Sequence, residues 1–216
     1  MTKEKNFFRN LHIANVLFNN TNKIKITKAI SEGGTFNNLQ EAVIINTFLS
    51  KTKKIDPIEI ILGMKTMQRF FMFKSNNYFW YQNFNFEPSP VLEVFGCDQD
   101  ELTAHILKHD KGSLKVLDIQ KNQNHYNRNF NRINLQALTE VSCSNLEIFS
   151  LYFEGVTFES EEIQRWVTRL PKLKEVRSND ASFLGYNYFG KTKVYYSGIS
   201  FSFFPFFFFF FDKNNS

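Results

Sequence analysis

A repeated pattern of apolar positions runs along the chain between residues 11 and 178. An apolar residue is followed by two variable residues, a second apolar residue, one variable residue and a third apolar residue. The clearest copies are LKVLDI at 114–119 and LEIFSL at 146–151. Apolar residues that alternate with variable ones are typical of a short strand with one buried face. Each copy therefore predicts one short β-strand.

Five further copies extend this pattern on both sides of the two clearest ones. They begin at Leu11, Leu39, Met67, Leu92 and Leu173, so that successive copies start 22 to 32 residues apart. One leucine-rich unit spans about 20–29 residues, and the longest interval contains the Asn-rich segment 120–132, which predicts a polar surface insertion. The second and third positions of the pattern in the seven copies are Ala14 and Val16, Ala42 and Ile44, Phe70 and Met72, Phe95 and Cys97, Leu117 and Ile119, Phe149 and Leu151, and Val176 and Ser178. Ser178 replaces the last apolar residue of its copy.

Segments with helical character lie between several of these strands. Segment 98–107 begins with acidic residues and places Leu102 and Ile106 on one face. Segments that begin at Pro57 and Ser160 are also suited to helices, because proline and serine are favoured where helices start. The alternation predicts an α/β fold, a leucine-rich-repeat solenoid with short parallel strands on the concave side and helices outside. The alternative is a generic α/β domain in which the pattern recurs by chance.

We assign the repeat-like domain to residues 1–178, with its best-defined part at 90–178, and expect the concave face to bind a protein partner. The variable strand positions point away from the core, so they are the side chains that such a face presents. These predicted partner-binding residues are Arg69, Phe71, Val94, Val116, Asp118, Ile148, Ser150, Glu175 and Arg177.

Composition narrows the function classes. The net charge of +5 is spread along the chain, without the dense basic stripe that nucleic-acid binding favours. The two cysteines form no metal-ligand or disulfide pattern, and no apolar run is long enough for a membrane span. We therefore expect no nucleic-acid partner, no membrane association, and a cytoplasmic or nuclear location.

Three copies, LKVLDI, SCSNLEIFSL and LPKLKEV, resemble the leucine-rich repeats of F-box proteins. In that family a Cys-Pro-x-Leu or Leu-Pro-x-Leu sequence precedes the strand, and Cys-Ser-Asn-Leu at 143–146 and Leu-Pro-Lys-Leu at 170–173 are similar to it. The resemblance covers residues 90–176 well and the earlier chain loosely. It implies substrate recognition for a cullin-type (SCF) ubiquitin ligase and binding to a Skp-type adaptor. The F-box itself is not evident at the N-terminus.

A second motif indicates a different class of protein. GYNYFGKT at 185–192 satisfies the spacing of a phosphate-binding P-loop, in which Lys191 would contact phosphates and Thr192 would bind magnesium. The sequence after it is typical of a strand, whereas a P-loop is followed by a helix.

His105 and His109 are four residues apart on a predicted helix, but no third metal ligand accompanies them. Our expectation is a non-enzyme without cofactor or metal, and a nucleotide-binding protein is the alternative.

Residues 179–216 depart from the repeat pattern. This tail contains SFSFFPFFFFFF at 200–211, which is too short for a bilayer-spanning helix and contains Pro205. We predict an irregular, non-repeat tail. A hydrophobic anchor that tethers a scaffold to a membrane is the alternative.

Overall fold

A computed structural model provides the fold. It describes residues 8–14, 17–18, 25, 28–30, 36–45, 48–49, 57–73, 84–121, 143–153, 168–179 and 192–196. The described strands are β1 (Asn10–Ala14), β2 (Leu17–Phe18), β3 (Glu41–Ile45), β4 (Phe48–Leu49), β5 (Arg69–Phe73), β6 (Val94–Cys97), β7 (Val116–Lys121), β8 (Ile148–Phe153), β9 (Glu175–Ser178) and β10 (Lys193–Tyr196). The described helices are α1 (Pro57–Leu62) and α2 (Asp100–His109).

The fold is α/β, built on an eight-stranded open sheet in which all pairs are parallel. Its order is β1-β3-β5-β6-β7-β8-β9-β10, so each strand lies beside the next long strand of the chain. Strands β2 and β4 form a separate parallel pair. Parallel strands need a crossover connection between them. The chain therefore returns to the same end of the strands before each new strand begins.

The apolar pattern builds one continuous core along the sheet. Strand pairing brings Phe70, Phe95, Leu117, Phe149 and Val176 into a single row. All five are buried, and the rings of Phe70 and Phe95 stack with centroids 5.9 Å apart. The first apolar residues of the copies from 39 to 173 are buried in the same core. Full burial of one such side chain contributes about 1.5–3 kcal/mol, so the repeated pattern is the main source of cohesion.

The same tight turn precedes β3, β5, β6, β8 and β9. In each case the first apolar residue of the copy donates its N–H to the carbonyl three residues earlier, as from Leu146 to Cys143 and from Leu173 to Leu170, both at 3.0 Å. Before β7 the side chain of Asp110 replaces that carbonyl and accepts from the N–H groups of Ser113 and Leu114. The copies therefore resemble one another in backbone hydrogen bonding as well as in their apolar pattern.

The predicted position of the first copy is wrong by three residues. Leu11 pairs with the second apolar position of the neighbouring strand, and Ile13 follows at the third. Phe8 thus takes the first position, whereas Ala14 is exposed and Val16 lies outside the described residues. Apolar residues at all these positions permit either register, and only pairing with the next strand decides between them.

Two other segment assignments change. Gln120 and Lys121 belong to β7 rather than to the polar insertion, whose remaining residues lie outside the described chain. Strand β10 pairs with β9 in parallel, so the sheet continues beyond residue 178 into the segment that we assigned to the tail. The Phe-rich segment 200–211 and most of the helix predicted from Ser160 are likewise outside the described residues.

The helices agree with the sequence. Ile58, Ile61 and Leu62 of α1 and Leu102 and Ile106 of α2 are buried in the core.

Candidate recognition surface

The candidate site is the face of the sheet opposite the main core, called here the outward face. Strand pairing arranges the variable strand positions into rows across it. The first row contains Glu41, Arg69, Val94, Val116, Ile148 and Glu175, and the middle row contains Val43, Phe71, Gly96, Asp118, Ser150 and Arg177. All nine predicted partner-binding residues therefore lie in two adjacent rows of one face.

The outward face is apolar over β3, β5 and β6. Val43, Phe71 and Phe73 form a buried cluster of their own, against which Ile45 and Val94 pack. Gly96 makes this cluster possible, because a Cβ at this position would lie 2.6 Å from Cδ1 of Phe71 and 2.9 Å from Cζ of Phe73. The two rings occupy the space that a side chain at 96 would need.

The outward face becomes polar at β7 and β8. Asp118 and Ser150 are register partners on these strands. The carboxylate of Asp118 accepts a hydrogen bond from Nε2 of Gln120 at 3.2 Å. Burial raises the pKa of Asp118 to about 7, and the opposing effects of the Gln120 hydrogen bond and the Arg177 charge are smaller. Within the described chain, Oγ of Ser150 is buried and has no hydrogen-bond partner.

Strand β9 carries an ion pair beside these groups. Nε of Arg177 donates to Oε1 of Glu175, and both side chains are half-buried. On β8, burial together with the negative charge of Asp118 raises the pKa of Tyr152 to about 12, so its hydroxyl stays protonated at neutral pH. The polar half thus combines donors and acceptors with two carboxylates and one guanidinium.

Burial differs among the predicted residues. Arg69 is exposed, and Val94, Val116, Ile148, Glu175 and Arg177 are half-buried. Phe71, Asp118 and Ser150 are only 5%, 2% and 1% exposed. These three side chains therefore lie on the outward face but are covered in the folded chain. Phe71 folds over Gly96, and the other two side chains are shorter than the residues around them.

Sequence reasoning missed Glu41. Its carboxylate is buried on the first row and binds Nε of Arg69 at 2.7 Å and Nε2 of His12 at 3.1 Å. The signal was present, since Glu41 and Arg69 occupy the same phase in neighbouring copies and become register partners. A carboxylate buried in this way requires a paired cation, which makes this trio a structural clamp between β1, β3 and β5.

The other candidate chemical groups have structural contacts. Thr192 donates its hydroxyl to the carbonyl of Leu173 at 2.8 Å and is followed by β10, not by a helix, while residues 185–191 lie outside the described chain. His105 places Nε2 at 2.9 Å from the carbonyl of Phe86, and its ring packs on His109 with centroids 4.5 Å apart. The described residues contain no cluster of ligands that could hold a metal ion.

Both cysteines are buried. Cys97 lies in the core row of β6, and burial raises the pKa of the Cys143 thiol to about 12. A thiol with such a raised pKa is a poor nucleophile.

No known protein family matches this chain, and no curated protein shows significant similarity to it. In the described part of the chain, no helix has the length and apolar character needed to cross a bilayer.

Proposed function

We propose that the chain is a leucine-rich-repeat solenoid whose outward face binds a protein partner. The observation that carries this proposal is the in-register alignment of the six apolar copies from Leu39 to Leu173 on parallel strands that follow chain order. The turn repeated before β3, β5, β6, β8 and β9 also supports it, because a solenoid stacks one supersecondary unit on the next.

Binding on this surface is non-covalent. A parallel sheet with a continuous core holds its outward side chains in fixed positions, so little ordering is required when a partner docks. The apolar half offers Val94 beside the phenylalanine cluster, and the polar half offers Val116, Ile148 and the Glu175–Arg177 pair. A surface of this kind fits a partner with apolar side chains at its centre and polar groups at one end.

Within this class we propose a narrower role, substrate recognition for a cullin-type ubiquitin ligase that includes a Skp-type adaptor. Its support is the resemblance of the 143–146 and 170–173 approach sequences to F-box leucine-rich repeats. Both approaches form the same turn. A pull-down with purified Skp-type adaptor tests this role separately, because the adaptor binds the F-box and not the repeat surface.

Two matched substitutions test the recognition surface. Val116→Lys places a cation in the first row of the outward face, whereas Val91→Lys makes the same change at a 40% exposed position outside the sheet. We expect binding partners cross-linked to the wild-type chain in cell extract to be lost with Val116→Lys and retained with Val91→Lys. Equal recovery with both variants would refute binding through this face. Thermal denaturation checks that both variants are folded.

A further inference from the structure

The middle row of the outward face contains two buried polar side chains on neighbouring strands. Asp118 and Ser150 are register partners and are only 2% and 1% exposed. Gln120 and Tyr152 lie further along the same strands, and Arg177 follows in the row on β9. Side chains on neighbouring parallel strands lie about 5 Å apart, so one group can contact both residues.

We propose that Asp118 and Ser150 bind an arginine side chain of the protein partner. The inference rests on the recognition function proposed above and names the chemistry of one contact within it. The guanidinium would donate to the carboxylate of Asp118 and to Oγ of Ser150.

The hydrogen bonding of Asp118 and Ser150 supports this contact. A buried carboxylate is costly unless it is paired with a cation or bonded by several donors, and Asp118 accepts from the neutral amide of Gln120. The buried hydroxyl of Ser150 has no hydrogen-bond partner within the described chain. A buried polar group without a partner costs about 1–3 kcal/mol, and a bound cationic donor would remove that cost.

The charges of the described residues also favour a cation. Arg177 pairs with Glu175, and Asp118 accepts a hydrogen bond from a neutral amide. A bound guanidinium would favour the ionised form of Asp118, because a nearby opposite charge lowers the pKa of a carboxyl group. Arginine suits the site better than lysine, because its planar fork directs donors to two acceptors at once and it is more weakly hydrated.

The Gln120 amide covers the carboxylate in the free chain. It is half-buried and bonds Oδ2 of Asp118 at 3.2 Å. An entering guanidinium takes over this hydrogen bond, and the freed glutamine side chain turns towards solvent. Binding therefore exchanges a neutral donor for a charged one, which makes a stronger hydrogen bond.

A displayed library of random linear peptides, selected on the full chain, provides the probe. We expect the selected peptides to share an arginine, and its replacement by citrulline, a neutral analogue of the same shape, to weaken binding about tenfold, or about 1.4 kcal/mol. With Asp118→Asn the same replacement should change affinity less than twofold. Glu93→Gln, which removes a carboxylate from an exposed ion pair, should behave as wild type.

Ser150→Ala separates a binding role from a structural one. Removal of the unpaired hydroxyl should raise Tm by about 2–4 °C, yet weaken the arginine peptide severalfold. Selected peptides without arginine, or an equal citrulline effect in wild type and Asp118→Asn, would overturn the arginine site and leave the recognition function standing. Failure of the wild-type chain to select any peptide would overturn the recognition function, and the arginine site with it.

Discussion

Ionisation of Asp118 should make the folded chain less stable as the pH rises. Burial raises the pKa of this carboxyl from 3.8 to about 7. The folded protein therefore holds the proton more tightly than the unfolded chain does. The stability contributed by the protonated form is lost as pH increases from about 4 to about 7, and the penalty is complete above that.

The size of this effect follows from the change in pKa. Each tenfold change in acid strength corresponds to 1.36 kcal/mol, so the complete penalty for charged Asp118 is about 4 kcal/mol. Roughly 2–3 kcal/mol of it develops between pH 5 and pH 8. Asp118→Asn keeps the shape of the side chain and removes the charge, so this variant should gain that amount relative to wild type between the two pH values.

Urea denaturation followed by circular dichroism at pH 5 and pH 8 measures the difference. The free energies of unfolding of wild type and Asp118→Asn should diverge as pH rises, because every other titrating group is common to both. Glu93→Gln serves as the control, since its carboxylate is half-exposed and paired with Lys115. Parallel pH dependences for wild type and Asp118→Asn would refute the buried, uncompensated carboxylate.

Three further predictions concern Gly96, the Glu41–Arg69 pair and the P-loop-like motif at 185–192. Gly96→Ala should lower the free energy of unfolding by about 1–2 kcal/mol, because the added methyl group displaces two phenylalanine rings; a more stable variant in urea denaturation would contradict this. Arg69→Met should lower the free energy of unfolding by roughly 2 kcal/mol, since it removes a cation from the buried Glu41, whereas Lys115→Met in an exposed pair should leave it nearly unchanged; equal losses would refute the distinction. We expect calorimetry to detect no ATP binding by the wild-type chain, and micromolar binding that Lys191→Ala abolishes would instead support the P-loop alternative.

Much of the strand arrangement could be predicted from the sequence. Burial selects apolar residues at fixed positions, so the copies that begin at Leu92, Leu114 and Leu146 mark β6, β7 and β8 directly. The first copy failed because apolar residues at 8, 11 and 13 fit the pattern as well as those at 11, 14 and 16. A local pattern carries no record of which strand it pairs with.

The candidate site, too, could be predicted from the sequence only in part. Alternation along each strand predicted that Asp118, Ser150 and Arg177 point away from the core, and pairing placed them in one row. The exposure of Asp118 and Ser150 was not predictable, because the exposure of a short side chain depends on how far the side chains on neighbouring strands extend from the sheet. Glu41 was missed for a related reason, since its burial follows from Arg69 and His12, which come from other copies.

By itself the sequence determined the period of the chain, the buried face of the strands that begin with the copies from Leu39 to Leu173, and the residues that the opposite face carries, because these depend on alternation along a single strand. Only the tertiary structure decided the register of β1, the extension of the sheet to β10, and the burial and ionisation of side chains on the outward face. Those properties arise between strands, where a phenylalanine ring fills the space above a glycine and a carboxylate loses its contact with water.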